Sequence, residues 1–323
     1  MSTISNAPTI LKDFLSYHET VKAHSAKTVD EYFLDLRTFF RYLKRSRGLV
    51  SPDTPWDSIS IADADLELVG SVSLSEIYDY LIFLSRERQL STASLARKIA
   101  AIRSFYRYLT SKAHLLEENP VQELDSPRMK KTLPRYLTLE ESLALLDAVQ
   151  GKNKERDYCI LMLFLNCGLR ISELVNLNVS DIQDDTIRVL GKGNKERILY
   201  LNDGCKAALE SYLTVRAMLS LQHEPALFVS NRRTRITRAG IHKMVKKYLL
   251  TAGLDASKYS AHKLRHTAAT LMLQNGVDVR TLQEVLGHDH LNTTQIYTHI
   301  SSDDLKIAAK ANPLADARQK KGS

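Results

Sequence analysis

Apolar positions recur at three- and four-residue intervals through most of the chain. Four amphipathic helical patterns fill its first part, at about 8–23, 26–46, 73–89 and 92–113. In the second, Val29, Phe33, Leu36, Phe39, Phe40 and Leu43 keep close to the 3.6-residue period that lines one helix face. Leu74, Ile77, Tyr78, Leu81, Ile82 and Leu84 do the same in the third, and Leu95, Ile99, Ile102, Phe105, Tyr106 and Leu109 in the fourth. The stretch 46–72 between the second and third is rich in Ser, Pro and Asp and reads as a loop. Prolines at 120, 127 and 134 then disfavour helix at themselves and at the residue before, which predicts an extended linker over 114–136. Helices resume at 138–150, where Thr138 and Glu141 have the spacing of a capping box, and at 155–167. Runs at 178–182, 185–190 and 195–201 read as strands, the last two joined by Gly191-Lys192-Gly193-Asn194 in a hairpin. Helical patterns return at about 203–221, 237–252, 262–275, 278–287, 292–298 and 301–310. The expected fold is mainly α. A four-helix domain over 1–113 precedes the linker, and an α-rich domain with a small three-stranded antiparallel sheet covers 137–323.

Composition leaves that picture standing. The 323 residues suit two domains, and 44% hydrophobic with 25% charged is ordinary for a globular protein. No apolar run approaches the ~20 residues that span a bilayer. Met1 to Leu11 has no basic flank ahead of an apolar core, so secretion is not expected. Cys159, Cys167 and Cys205 form no CxxC and read as buried thiols of a reducing cytoplasm.

Charge adds a partner class. The net charge of +8 makes a polyanion a candidate. Its distribution is uneven: residues 1–125 carry 15 Lys and Arg against 17 Asp and Glu, net −2, and residues 126–323 carry 30 against 20, net +10. Asp53, Asp57, Asp63, Asp65 and Glu67 follow one another with no base between them. Arg97, Lys98, Arg103 and Arg107 come next on a helical pattern, and Lys130, Lys131 and Arg135 lie in the linker. These seven cations are candidate DNA contacts, although a charge run also fits a solvated face.

Four clusters carry candidate chemistry: Gly168-Leu169-Arg170 with Glu173, the Gly191–Arg197 hairpin, His262-Lys263-Leu264-Arg265-His266-Thr267, and Leu286-Gly287-His288 followed by Tyr297. Each has a plain alternative. Arg170 and Glu173 fit an i,i+3 pair, Lys192 a solvated turn, His288 a helix-ending turn and Tyr297 a half-buried aromatic. Together they suit metal-independent phosphodiester cleavage, which needs a nucleophile, neutralisation of the non-bridging oxygens and a proton for the leaving alkoxide. Arg170 and Arg265 offer planar forks that match phosphate. His262 and His288 donate hydrogen bonds or move a proton, and Lys192 can reach the leaving oxygen as general acid. Tyr297 offers a phenol with a pKa near ~10, which neighbouring cations lower. No cluster of acids for two-metal catalysis stands among these motifs, which argues against a metal nuclease, and no metal is expected.

At these residues the sequence resembles the tyrosine recombinase (phage integrase-like) family, and closely its bacterial Xer branch. The family is marked by Arg, Lys, His-x-x-Arg, His and Tyr in order, matched here by Arg170, Lys192, His262, Arg265, His288 and Tyr297, nine residues beyond His288. An ordered set of six over ~130 residues is far more specific than any single motif. The resemblance covers nearly the whole chain, since 8–113 resembles the family's SAM-like core-binding domain. It implies a clamp of two domains around a double-stranded recombination site. It also implies attack by Tyr297 to give a 3′-phosphotyrosine, and strand exchange through a Holliday junction by a homo- or hetero-tetramer with no cofactor. Glu173 would then orient the site through Arg170, and His266 would be a structural partner. The 301–310 helix resembles a segment that packs into a neighbouring subunit.

One departure is the 46–72 stretch, longer and more acidic than the compact Xer pattern, which suggests a spacing or interaction role. Rival classes are a type IB topoisomerase, which shares the residue set, and a DNA-binding protein with a dead site. The second loses ground because none of the six positions is substituted. A zinc site through His262, His266, His288 and His290 lacks a ligand quartet.

Overall fold

The computed structural model describes residues 6–125, 135–191, 195–219, 224–287, 307 and 311–314. The chain divides into two compact units, Met1–Thr132 and Leu133–Ser323.

The first unit is built from α1 (Thr9–Thr20), α2 (Ala26–Ser46), α3 (Leu66–Gly70), α4 (Leu74–Arg86) and α5 (Thr92–Ser111). Ser25, Ser73 and Ser91 cap α2, α4 and α5, each accepting from the backbone N–H three residues on. The predicted face of α2 is the core: Phe33, Leu36, Phe39, Phe40 and Leu43 are buried against Ile77, Tyr80 and Leu84 of α4 and Ile99, Ile102, Phe105 and Leu109 of α5. Each such side chain contributes about 1.5–3 kcal/mol by leaving water.

Three expectations are corrected here. The 46–72 stretch is not a plain loop, because it contains a short 3-10 helix (Trp56–Ser58) and α3 and buries Ile59, Ile61, Val69 and Val72. Its acids work inside the unit. Asp57 pairs with Arg41 at 3.1 Å, Asp63 with buried Lys44 at 2.6 Å, and Asp65 caps α3. Lys98, expected at DNA, is buried, and its ammonium lies 2.9 Å from the Asp35 carboxylate, which also pairs with Arg97. A buried cation needs such a partner, so Lys98 is committed to the core. Residues 114–125, read as the start of the linker, return Val121 and Leu124 to this core. Lys130 and Lys131 lie outside the described residues, and Arg135 is exposed.

The second unit places α7 (Lys154–Cys167) at its centre, with every residue from Asp157 to Cys167 buried. A helix apolar all round has neighbours on all sides, and α9 (Asp203–Ala217) and α11 (Ala261–Gln274) pack on it. Around it stand α6 (Leu139–Asp147), α8 (Ile171–Asn176), α10 (Arg238–Thr251) and α12 (Val279–Leu286). The antiparallel sheet runs β1 (Ile182–Gln183), β2 (Thr186–Leu190), β3 (Glu196–Tyr200), with Val189 opposite Arg197 and Ile187 opposite Leu199. The strand expected at 178–182 is mostly a 3-10 turn (Val179–Asp181), because the Asp181 carboxylate accepts from the Asn178 N–H and closes it. Asn312 donates to the Leu165 carbonyl at 2.9 Å and Leu314 is fully buried, so residues 311–314 sit on this core. The helices expected at 292–298 and 301–310 fall outside the described residues apart from Ile307, which is exposed.

Candidate active site

The site is assembled where α7 gives way to α8. Gly168 ends α7 with φ +58°, the left-handed conformation that glycine adopts without penalty. A β-carbon there would stand 2.5 Å from the Leu286 side chain, so the glycine also lets α12 approach. Two residues on, Arg170 opens α8. The Glu173 carboxylate folds back to accept from the Arg170 backbone N–H at 2.8 Å and from its Nη1 at 2.8 Å. The i,i+3 spacing thus yields both a helix cap and an ion pair. The same guanidinium turns Nη2 to the Gly287 carbonyl at 2.9 Å.

Arg265, on α11, is 5% exposed. It donates Nη1 to the Gly168 carbonyl at 2.5 Å and Nη2 to the Leu286 carbonyl at 2.6 Å, and lies 3.9 Å from Glu173. Burial pulls its pKa down to about 10, and the Arg170 charge pulls the same way. It still carries its charge at neutral pH. The two sequence-predicted arginines therefore share one place, each tied to the backbone just ahead of His288.

A third guanidinium joins them, and sequence reasoning assigned it no role. Arg197 of β3 grips Glu173 through both Nη atoms at 2.9 Å and donates Nε to the Val285 carbonyl at 3.2 Å. Strand alternation held the signal: Arg197 shares a face with Leu199, the core face, where a charged residue is out of pattern. Burial pushes the Glu173 carboxyl up, but the hydrogen bonds and charge of Arg197, then of Arg170, outweigh it and hold the group below its usual range. Three guanidiniums against one carboxylate leave an excess of positive charge, which suits a phosphate.

His262 is exposed on α11 three residues before Arg265. Partial burial lowers its pKa from 6.5, and the charges of His266, Arg265, Lys263 and Arg170 add to the effect. His266 is exposed, and the buried contact in this motif belongs to Thr267, whose hydroxyl accepts from the Leu137 N–H at 3.0 Å. Lys192, His288 and Tyr297 lie outside the described residues. The hairpin that carries Lys192 is closed at its base by Gly191 N–H to the Lys195 carbonyl at 2.7 Å. Among the candidate DNA contacts, Arg103 and exposed Arg107 line a groove of about 1040 Å³ on the first unit with Thr110 and Ser111, and Glu117, Glu118 and Glu123 line it too. No described helix is long and apolar enough to cross a membrane.

Comparison with known proteins bears on this arrangement. The phage integrase family model matches residues 135–303, and the model of the phage integrase N-terminal SAM-like domain matches 60–113. The tyrosine recombinase XerC of Caldanaerobacter subterraneus is 52% identical over 95% of this chain and 88% of its own. The tyrosine recombinase XerD of Halalkalibacterium halodurans is 33% identical over 98% and 100%. In fold, the chain is similar to the XerH recombinase bound to difH (TM-score 0.62, 24% identity, 93% and 84% covered). It is also similar to a lambda integrase tetramer bound to a Holliday junction (TM-score 0.62, 18% identity, 91% and 81% covered). With its fold, its paired arginines and these relatives in accord, the chain belongs to the phage integrase family and is an Xer-like tyrosine recombinase, a site-specific enzyme that exchanges DNA strands through a tyrosine nucleophile.

Proposed function

We propose that Tyr297 is that nucleophile and that Arg170 and Arg265 hold the scissile phosphate. The observation that carries this reading is the junction of both guanidiniums with the Gly168, Leu286 and Gly287 carbonyls. In the first step the phenol oxygen of Tyr297 bonds to phosphorus while the P–O5′ bond breaks. The phenol proton passes to a neutral histidine, a role that the lowered pKa of His262 suits. The departing 5′ oxygen takes a proton from Lys192, and His288 donates to a non-bridging oxygen. The arginines offset charge that grows in the transition state, worth about 3–4 kcal/mol for one donor. The product is a 3′-phosphotyrosine with a free 5′ hydroxyl. Because the ester energy is kept, a second 5′ hydroxyl reverses the step on another strand without ATP.

The assembly that fits this chemistry is a homo- or hetero-tetramer on two double-stranded sites, passing through a Holliday junction in the cytoplasm. Arg97, Arg103, Arg107, Lys130, Lys131 and Arg135 would contact phosphates. The kinship with XerC and XerD favours resolution of chromosome dimers. Integration of a mobile element uses the same chemistry.

The test begins with a duplex selected by binding from a randomised library, nicked so that the cleaved end is lost and the adduct accumulates. Wild type should yield a DNA-linked peptide containing Tyr297. Tyr297→Phe should bind equally and yield none, and an adduct in that variant overturns the assignment. Relaxation of supercoiled plasmid lacking the selected site would favour the topoisomerase alternative.

A further inference from the structure

Arg197 makes both of its Nη contacts with Glu173, and that choice bears on the other two arginines. A carboxylate offers about four acceptor positions. Arg197 supplies two donors at 2.9 Å, and Arg170 supplies two more from its backbone and its Nη1, both at 2.8 Å. Glu173 is thereby filled. Arg265 stands 3.9 Å from it and spends its Nη donors on two neutral carbonyls. Its positive charge is consequently offset only in part, because one carboxylate serves three guanidiniums.

We propose that Arg197 is a positioning residue that occupies the Glu173 carboxylate and so keeps the charge of Arg265, and part of that of Arg170, available to the scissile phosphate. The inference rests on the reading that these two arginines bind that phosphate. Glu173 is buried, with 3% of its side chain exposed, so attraction to a nearby cation is strong. Take Arg197 away and the nearest under-compensated cation is Arg265. Its guanidinium would swing to the carboxylate, giving up Gly168 and Leu286 and the order they impose. The strand supports the assignment. Arg197 is held by its pairing with Val189 and by the Val285 carbonyl, so it arrives at Glu173 from a fixed element. Gly287 makes room for it, since a β-carbon there would lie 3.0 Å from Arg197 Nη1.

The test uses the full chain and the selected nicked duplex in two forms. One has an ordinary scissile phosphate. The other has a methylphosphonate, in which a methyl group replaces one non-bridging oxygen and the charge is gone. Arg197→Met should attach to the phosphate roughly 100-fold more slowly than wild type. On the methylphosphonate it should lose less than about 10-fold, because an uncharged centre needs less positive charge. Arg197→Lys should fall between wild type and Arg197→Met. Adding Glu173→Gln to Arg197→Met should regain about 10-fold on the phosphate, since the amide keeps the helix cap without the charge. Equal losses on both substrates, or an unchanged rate on the phosphate, overturn the inference alone. Thermal melting reports folding, and if Arg197→Met is unfolded, Arg197→Lys carries the same comparison. A wild type that attaches to neither substrate overturns the Tyr297 reading and the inference with it.

Discussion

Arg170 donates to the Gly287 carbonyl at 2.9 Å, a bond between residues 117 positions apart in sequence. Arg265 does the same to Leu286, and Arg197 to Val285. Three guanidiniums thus close on three consecutive carbonyls at the C-terminal end of α12, where unpaired carbonyls and the helix dipole attract cations. The arrangement fixes the last described backbone before His288.

Gly287 is the first position at which this can be tested. Its φ of +63° suits glycine, and a β-carbon would press on Arg197 Nη1, Cδ and Cζ at 3.0–3.2 Å. Gly287→Ala should cost about 1–2 kcal/mol of stability from the left-handed conformation. Displacing the backbone beside the arginines should slow covalent attachment roughly 100-fold. DNA affinity should hold. Melting, gel-shift and adduct assays check the three parts, and an adduct rate equal to wild type would mean that α12 does not order the site.

Glu173 should contribute to the acid stability of the second unit. Its folded carboxyl lies below the usual range, so as pH falls the unfolded chain takes up the proton first. The stabilisation is complete above the ordinary carboxyl pKa of about 4.3 and disappears as pH falls through the lower folded value. Glu173→Ala, which leaves buried arginines without their counter-charge, should cost about 3–5 kcal/mol, and Glu173→Gln less. Trp56, the only tryptophan in the sequence, reports the first unit. Its fluorescence transition should stay put while hydrogen exchange in α8 and α11 speeds up.

Much of this was legible in the sequence because long elements repeat their pattern. Phe33, Leu36, Phe39, Phe40 and Leu43 announce α2 to the residue, and Gly191–Asn194 announces the hairpin. The five-residue α3 and six-residue α8 are too short to show a period. The apolar residues of 46–72 were hidden among Ser, Pro and Asp. Arg170, Glu173 and Arg265 stand in motifs that the sequence shows, yet the carbonyls that receive the two guanidiniums come from segments about a hundred residues apart. Lys98 misled for the same reason. Its partner Asp35 lies two long helices earlier, and a single strip of sequence cannot tell a phosphate ligand from a cation bound to a buried acid.

The rate of attachment should fall on the acid side through His262. Its folded pKa is below 6.5, so it is neutral at pH 7 and accepts a proton there, and it is blocked only as pH drops through the lowered value. His266 contributes to that lowering when charged. His266→Gln should therefore move the acid limb of the pH–rate profile upward, towards 6.5. His262→Ala should remove the limb along with most of the rate. A limb that stays in place in His266→Gln would mean another group sets it.

Arg107 and Lys98, both on α5, should separate in their response to salt. Each phosphate neutralised adds about 0.9 to the slope of log affinity against log salt concentration. Arg107 is exposed beside the groove, so Arg107→Ala should flatten the slope by about 1. Lys98 is spent on Asp35 inside the core, and Lys98→Met should leave the slope where it is. Its effect should appear in stability instead, because among the described residues Asp35 then keeps Arg97 alone, half-exposed at 49%, as its counter-charge. Asp35→Ala should cost more, about 3–5 kcal/mol, by stranding the Lys98 ammonium. Titrations of the selected duplex at several salt concentrations, paired with Trp56 unfolding curves, separate the two roles. A flattened slope in Lys98→Met would put that ammonium at the DNA after all.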